Sequence, residues 1–214
     1  MIILIGGEKG GPGKTTIATN LSAMRTKETG DLLLVDTDKQ PTSSYWCSLR
    51  EDNGVEPRVS SVQKFEKTVR TEIMALKGKY KDIIIDAGGR DSAELRAGLI
   101  VADKAVFPLR PSQFDLWTLG RINTLVETAR ELNEKLESYI VINQASTNPA
   151  VKEVEEAKEL IYEFNNLKLI KNVICERISF RRAAINGMAV TEYKPEDLKA
   201  IDEITGLYEE LFND

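Results

Sequence analysis

Six short apolar runs recur along this chain, and they are continuous rather than alternating: Ile2–Ile5, Leu32–Asp36, Ile83–Asp86, Ala105–Leu109, Tyr139–Asn143 and Leu169–Ile174. A strand with one wet face alternates apolar and polar side chains, whereas a strand covered on both faces has no reason to. Each run is therefore predicted to be a strand buried from both sides. Segments of helical period lie between them, near Thr15–Met24, Phe65–Leu76, Ala93–Val101, Leu116–Leu136 and Val151–Phe164. A last helix is predicted to carry Pro195 in its first turn and to run to about Phe212. This alternation predicts an α/β fold: a mostly parallel twisted sheet flanked by helices on both faces. At 214 residues the chain suits one such domain, spanning residues 1–214. No repeat, low-complexity tract or linker divides it, and the polar stretch Glu51–Pro57 reads as a surface loop.

The absence of histidine excludes Ser–His–Asp triads, zinc sites of the usual histidine type and histidine general bases. Acid–base or metal chemistry must then come from Asp, Glu, Lys or hydroxyl groups. A formal net charge of −5 argues against a large basic surface, so any nucleic-acid contact would use a local patch. Cys47 and Cys175 lie far apart without a C-x-x-C partner, and free thiols in a reducing cytosol are expected. No apolar run is long enough to cross a bilayer. With a strand beginning at Ile2, neither a signal peptide nor an N-terminal helix-turn-helix domain is expected, and a cytoplasmic location follows.

The first strand leads into Lys9-Gly10-Gly11-Pro12-Gly13-Lys14-Thr15-Thr16, and a helix follows. Glycines let the backbone wrap closely around a polyphosphate, and a helix N-terminus aims N–H groups and its positive dipole end at the anion. Here Gly10, Gly11 and Gly13 would cradle the phosphates and Lys14 would reach the β/γ-phosphates. Thr15 would set its hydroxyl on Mg²⁺, and Thr16 would contact the α-phosphate. The strict G-x-x-x-x-G-K-[ST] pattern fails, because Glu8 stands where its first glycine belongs.

With its extra early lysine, this loop resembles that of the deviant Walker A ATPases, the ParA/MinD group of SIMIBI-class P-loop NTPases. The resemblance implies ATP/ADP and Mg²⁺ as ligands, weak intrinsic ATPase activity and a nucleotide-sandwich homodimer formed with ATP. In it, Lys9 would reach across to the phosphates of the other subunit and stabilise charge as the γ-phosphate leaves. The alternative for Lys9 is a solvated surface lysine.

Asp36-Thr37-Asp38 and Asp86-Ala87-Gly88-Gly89 follow the second and third apolar runs. Carboxylates at the C-terminal ends of buried parallel strands lie where open α/β sheets bind ligands, and hard oxygen donors suit Mg²⁺. By resemblance, Asp38 orients the attacking water, Asp36 supports the Mg²⁺ shell, and Asp86 matches the Walker B aspartate with Gly89 near the γ-phosphate. The family's D-x-D-P-Q reads D-T-D-K-Q here, with Lys39 in place of the proline. Arg90 is assigned to the dimer interface or to a partner contact. Taken singly, each aspartate also fits a helix N-cap or a loop. Pro111, in Pro108-Leu109-Arg110-Pro111-Ser112, resembles the family's loop near the nucleotide. Asn143 stands where relatives read the adenine edge with an amide, although a turn former after a strand would look the same.

Within that family, three classes compete. The first, and the reading preferred on sequence, is a small ParA-type partition ATPase. It would bind DNA non-specifically as an ATP dimer, associate with the nucleoid, and be released by a centromere-binding ParB-type adaptor. The alternative is a MinD-like or other regulator that positions a protein complex. The last helix speaks against membrane cycling, because acidic residues far outnumber Lys199 on it. A redox enzyme of the same fold would need a cluster-binding cysteine spacing that Cys47 and Cys175 lack. Lys168, Lys171, Arg177, Arg181 and Arg182 are candidate DNA contacts, ahead of Lys152 and Lys158; the alternative is a solvated, charge-balancing face.

Overall fold

In the computed structural model, residues 1–65, 69–89, 92–148 and 150–213 are described. Seven parallel strands form one sheet in the order β3-β2-β4-β1-β5-β6-β7. In chain order these are β1 (Ile2–Ile5), β2 (Leu32–Asp36), β3 (Ser60–Gln63), β4 (Asp82–Asp86), β5 (Lys104–Leu109), β6 (Glu137–Ile142) and β7 (Lys168–Leu169). The helices are α1 (Lys14–Thr29), α2 (Thr42–Asp52), α3 (Val69–Leu76), α4 (Ala93–Val101), α5 (Gln113–Leu116), α6 (Leu119–Arg130), α7 (Glu153–Ile161), α8 (Ile178–Ala184) and α9 (Leu198–Phe212).

The continuous apolar runs have a direct cause. In β1, Ile2 and Leu4 face one helical layer with Ile73 of α3, Leu99 of α4 and Val126 of α6. Ile3 and Ile5 face the other layer, with Leu21 of α1, Trp46 of α2 and Leu207 of α9. Both faces of the strand are dry, so no position is left for a polar residue. Helix α9 lays Ile204, Leu207 and Leu211 into the second layer, while Leu198 stays outside it. Among the described residues, no helix is long and apolar enough to cross a membrane.

Several expected boundaries move. The run Leu169–Ile174 pairs regularly only at Lys168–Leu169, although Ile170 and Ile174 each still donate to β6. The long helix expected over Leu116–Leu136 is two helices, since Thr118 folds its amide and hydroxyl back onto the Asp115 carbonyl. Beyond Arg130, Asn133 ties the chain to the carbonyls of Leu99 and Ala102 instead of continuing the helix. Pro195 precedes the last helix, which starts after Asp197 accepts from the Ala200 amide at 3.2 Å. β3 was not expected at all, and α2 runs through Asp52 into the stretch read as a loop.

Candidate nucleotide site

β1 lies between β4 and β5, and the C-terminal edge there collects the loops after β1, β2, β4, β5 and β6. Such an edge is where open α/β sheets bind ligands. The chain leaves β1 through Gly6 and Gly7 and returns as α1 at Lys14. Gly11 and Gly13 take φ of 96° and 92°, left-handed values that suit glycine. No side chain caps α1, and the first helical bond joins the Ile17 amide to the Gly13 carbonyl at 3.0 Å. The amides of Lys14, Thr15 and Thr16 therefore start the helix without intrahelical partners and point, with the helix dipole, into the loop. This is the geometry that suits an anion.

Three of the loop's carbonyls are engaged. Lys14 Nζ donates to Lys9 O at 2.8 Å, Arg110 Nη2 to Gly11 O at 2.8 Å, and Asn143 Nδ2 to Pro12 O at 2.6 Å. Lys14 is only 7% exposed, and burial lowers its pKa against the opposing pull of Asp86 and Asp38. Its ammonium is thus held on a carbonyl at the site where a phosphate would compete for it.

Asp36 is fully buried. Its Oδ1 accepts from the Asp38 amide at 3.1 Å, and its Oδ2 accepts from the amide and hydroxyl of Ser44 at 3.0 and 2.9 Å. That carboxylate anchors the start of α2 and retains little capacity for anything else. Asp86, 2% exposed, lies against the hydroxyls of Thr15 and Ser43, yet its Oδ1 and Ser43 Oγ make no well-formed hydrogen bond. Burial pushes its pKa up to about 7, with Asp36 adding to the rise. An orphaned carboxylate oxygen beside a threonine hydroxyl is a donor set that fits Mg²⁺ held through few protein contacts and several waters. Among the described residues no group of three or more carboxylates or thiols could cage a metal alone. Thr15 with Asp86 would hold the ion, directly or through water, and Asp36 would act behind them. When bound, Mg²⁺ supplies charge neutralisation at the phosphate oxygens.

Asp38 accepts from the Gln40 amide at 2.9 Å and packs on Gly88, where a Cβ would stand 3.3 Å from its carboxylate. A Cβ on Gly89 would meet Lys9 O at 2.6 Å and Gly10 N at 2.8 Å. The turn after β4 therefore lies directly on the loop at its early lysine. Lys9 itself reaches Asp115 of α5 at 3.1 Å. Arg90 lies outside the described residues.

On the opposite side of the loop, Asn143 is 4% exposed, and its bond to Pro12 fixes which way its amide faces. Its Oδ1 is left as the acceptor. Beside it runs a cleft lined by Thr16, Gln144, Cys175, Arg177 and Phe180. Pro111 is buried in the turn that leads into α5, where the Ser112 amide donates to Arg110 O at 2.8 Å. A wider groove between β3 and α3, lined by Ser60, Val62 and Tyr80, has no part in this constellation.

The sequence profile of the CobQ/CobB/MinD/ParA nucleotide binding domain (CbiA) matches residues 3–190. The chain belongs to this family. The ParA/MinD members of this family are P-loop ATPases, which supports ATPase activity in general for this chain. It is 28% identical to maintenance of carboxysome distribution protein A of Halothiobacillus neapolitanus, over 95% of this chain and 92% of that protein. Apo McdA of Cyanothece superposes with a TM-score of 0.78 at 18% identity, covering 98% of each chain. MinD of Pyrococcus horikoshii, complexed with Mg-ADP, superposes with a TM-score of 0.74 at 21% identity, covering 99% of this chain and 95% of that one. At such identities the two structures speak for the shared fold.

Several contributors to this ParA/MinD-type site escaped the sequence reading: Arg110, Gln144, Asp115, Ser43 and Ser44. Arg110 lies within Pro108-Leu109-Arg110-Pro111-Ser112, and a polar residue between two prolines beside a ligand edge was the available signal. The candidate DNA contacts divide. Arg177 is spent on Glu203 at 2.6 Å, Lys168 on Glu137 at 2.6 Å and Lys158 on Glu155 at 2.9 Å. Lys152, Lys171, Arg181 and Arg182 are exposed. Both cysteines are free, and burial raises the pKa of each.

Proposed function

We propose that this protein is an ATP-driven positioning ATPase: it binds Mg-ATP, closes into a nucleotide-sandwich homodimer, holds DNA non-specifically and hydrolyses ATP slowly until a partner stimulates it. The observation that carries the reading is the contact of Gly89 with the backbone of Lys9 and Gly10. The turn beyond the Asp86 strand, where a γ-phosphate would be sensed, touches the residue that would cross the dimer. In this reading Lys14 and Thr16 hold the phosphates, Thr15 and Asp86 hold Mg²⁺, and Lys9 acts in trans. Asp38 orients the water, and Asn143 reads adenine by accepting from its amino group. Residues 1–214 act as one unit.

For the cargo, similarity to a carboxysome distribution protein over nearly the whole of both chains favours a protein assembly. Partition of DNA through a centromere-binding adaptor is the second reading. Exposed Arg181 and Arg182 favour a DNA track, which serves either cargo. A membrane track is not part of the proposal, because the apolar stripe of α9 is used in the core.

Binding to arbitrary duplex DNA is measured with ATP, with ADP and without nucleotide, with light scattering for mass. Dimer and DNA binding are expected with ATP alone, weakening steeply with salt. Equal binding in all three conditions, or none, sinks the reading. In cells lacking the protein, plasmid loss points to partition, and misplaced protein bodies with normal plasmid retention point to a protein cargo.

A further inference from the structure

One peptide of the loop differs from its neighbours. The bond between Gly11 and Pro12 has a carbonyl but no N–H, because proline has none. Other loop peptides can turn an amide toward a phosphate; this one can offer the anion only a repelling oxygen. Proline locks its own φ, so that carbonyl can be re-aimed only through the torsions of the glycine before it.

Arg110, just beyond β5, sits on that carbonyl. Its Nη2 donates to Gly11 O at 2.8 Å, while its Nε donates to Gln144 Oε1. A Cβ on Gly11 would lie 3.5 Å from Arg110 Nη2, so the guanidinium packs directly on the loop at Gly11. Gln144 is in turn the non-glycine residue with a positive φ among the described residues, at 55°. That backbone is costly for a residue with a Cβ, and it survives where its surroundings impose it, commonly at ligand sites.

We propose that Arg110, held by Gln144, is a positioning residue for nucleotide binding: it keeps the Gly11 carbonyl turned away from the phosphates. The proposal rests on the nucleotide reading of the loop. Arg110 need not touch the nucleotide. Its two-pronged grip needs a planar guanidinium, which lysine does not reproduce.

The test is calorimetric titration of the full chain with Mg-ADP and with Mg-ATPγS, alongside thermal unfolding without nucleotide. Arg110→Ala is expected to weaken both ligands about ten-fold, the loss of one charge-assisted hydrogen bond at an exposed site, while the unfolding temperature holds. Gln144→Ala should weaken them less. The double variant should bind no worse than Arg110→Ala, because Gln144 acts through the arginine. Arg110→Lys should stay near the alanine value at low and high salt. Unchanged affinity in Arg110→Ala overturns the proposal, as does full rescue by lysine at low salt alone, which would mean plain charge attraction. Strictly additive losses in the double variant also overturn the link through Gln144. Lys14→Ala separates the two levels: if it binds normally, the nucleotide reading itself fails, whereas lost binding there with a normal Arg110→Ala condemns only the brace.

Discussion

A carboxylate buried beside an anion site is in conflict, and Asp86, whose charge Lys14 offsets only in part, carries that conflict. Its folded pKa of about 7 lies above the ordinary 3.8, so between those values the folded state holds a proton that the unfolded state has released. Stability without metal must then fall as pH rises from about 4 to about 7 and level off above, by linkage. Asp86→Asn should flatten that slope and stabilise the metal-free protein near neutral pH by ~1–3 kcal/mol, the cost of a buried polar atom left without a hydrogen bond, which a pH series of melts would show. The same variant should lose Mg²⁺-dependent tightening of nucleotide. A melt series in which wild type and variant share one slope would refute the account. Asp38 is placed differently, half-buried and against Gly88 next to Lys14. Asp38→Ala is accordingly expected to keep ATP binding and accumulate the dimer; rapid turnover by that variant would remove Asp38 from its assigned role.

Elements position these residues, and α2 is held from 142 residues further along the chain. Arg50, 1% exposed, grips Glu192 with both terminal nitrogens at 2.7 Å and donates to the carbonyls of Pro57 and Gly187. Gly187 has φ of 68° and leaves no room for a Cβ, which would meet Arg50 N at 2.3 Å. Breaking one side of a buried pair costs about 3–5 kcal/mol, so Arg50→Ala should lower stability by that order, and Gly187→Ala should also destabilise. Arg50→Met with Glu192→Leu should recover much of the loss, and denaturant melts check both. A small effect of Arg50→Ala would mean that the pair contributes little. None of this pairing was legible in the sequence, whereas the central strands were, since strands dry on both faces announce themselves. β3 did not: an edge strand reading Ser-Ser-Val-Gln, mostly exposed, buries too little to leave an apolar signal. The motif residues of the loop could be read because they are contiguous. Arg110 and Asn143 brace it from 99 and 131 residues away, and only the order β1-β5-β6 brings them there.

At the scale of the whole molecule, the chain as folded alone keeps its early lysine at home. Lys9 is 42% exposed and Asp115 13%. For Lys9 to act across a dimer, this bond must be exchanged for one to the other subunit's phosphates. A partly exposed pair is worth about 0.2–1 kcal/mol, so the tether slows no chemistry but biases an equilibrium. A two-fold dimer makes the exchange twice, and the bias enters squared. Asp115→Asn should therefore tighten ATP-dependent dimerisation by about 2- to 30-fold while leaving ADP-bound monomers and their nucleotide affinity unchanged. Lys9→Ala should do the opposite, binding ATP as a monomer. Sedimentation of both variants across a concentration series reads the constants directly. Weaker dimerisation in Asp115→Asn would place that carboxylate in the dimer contact itself, and the home-pairing of Lys9 would then be a consequence of an interface waiting for its other half rather than a restraint on forming it.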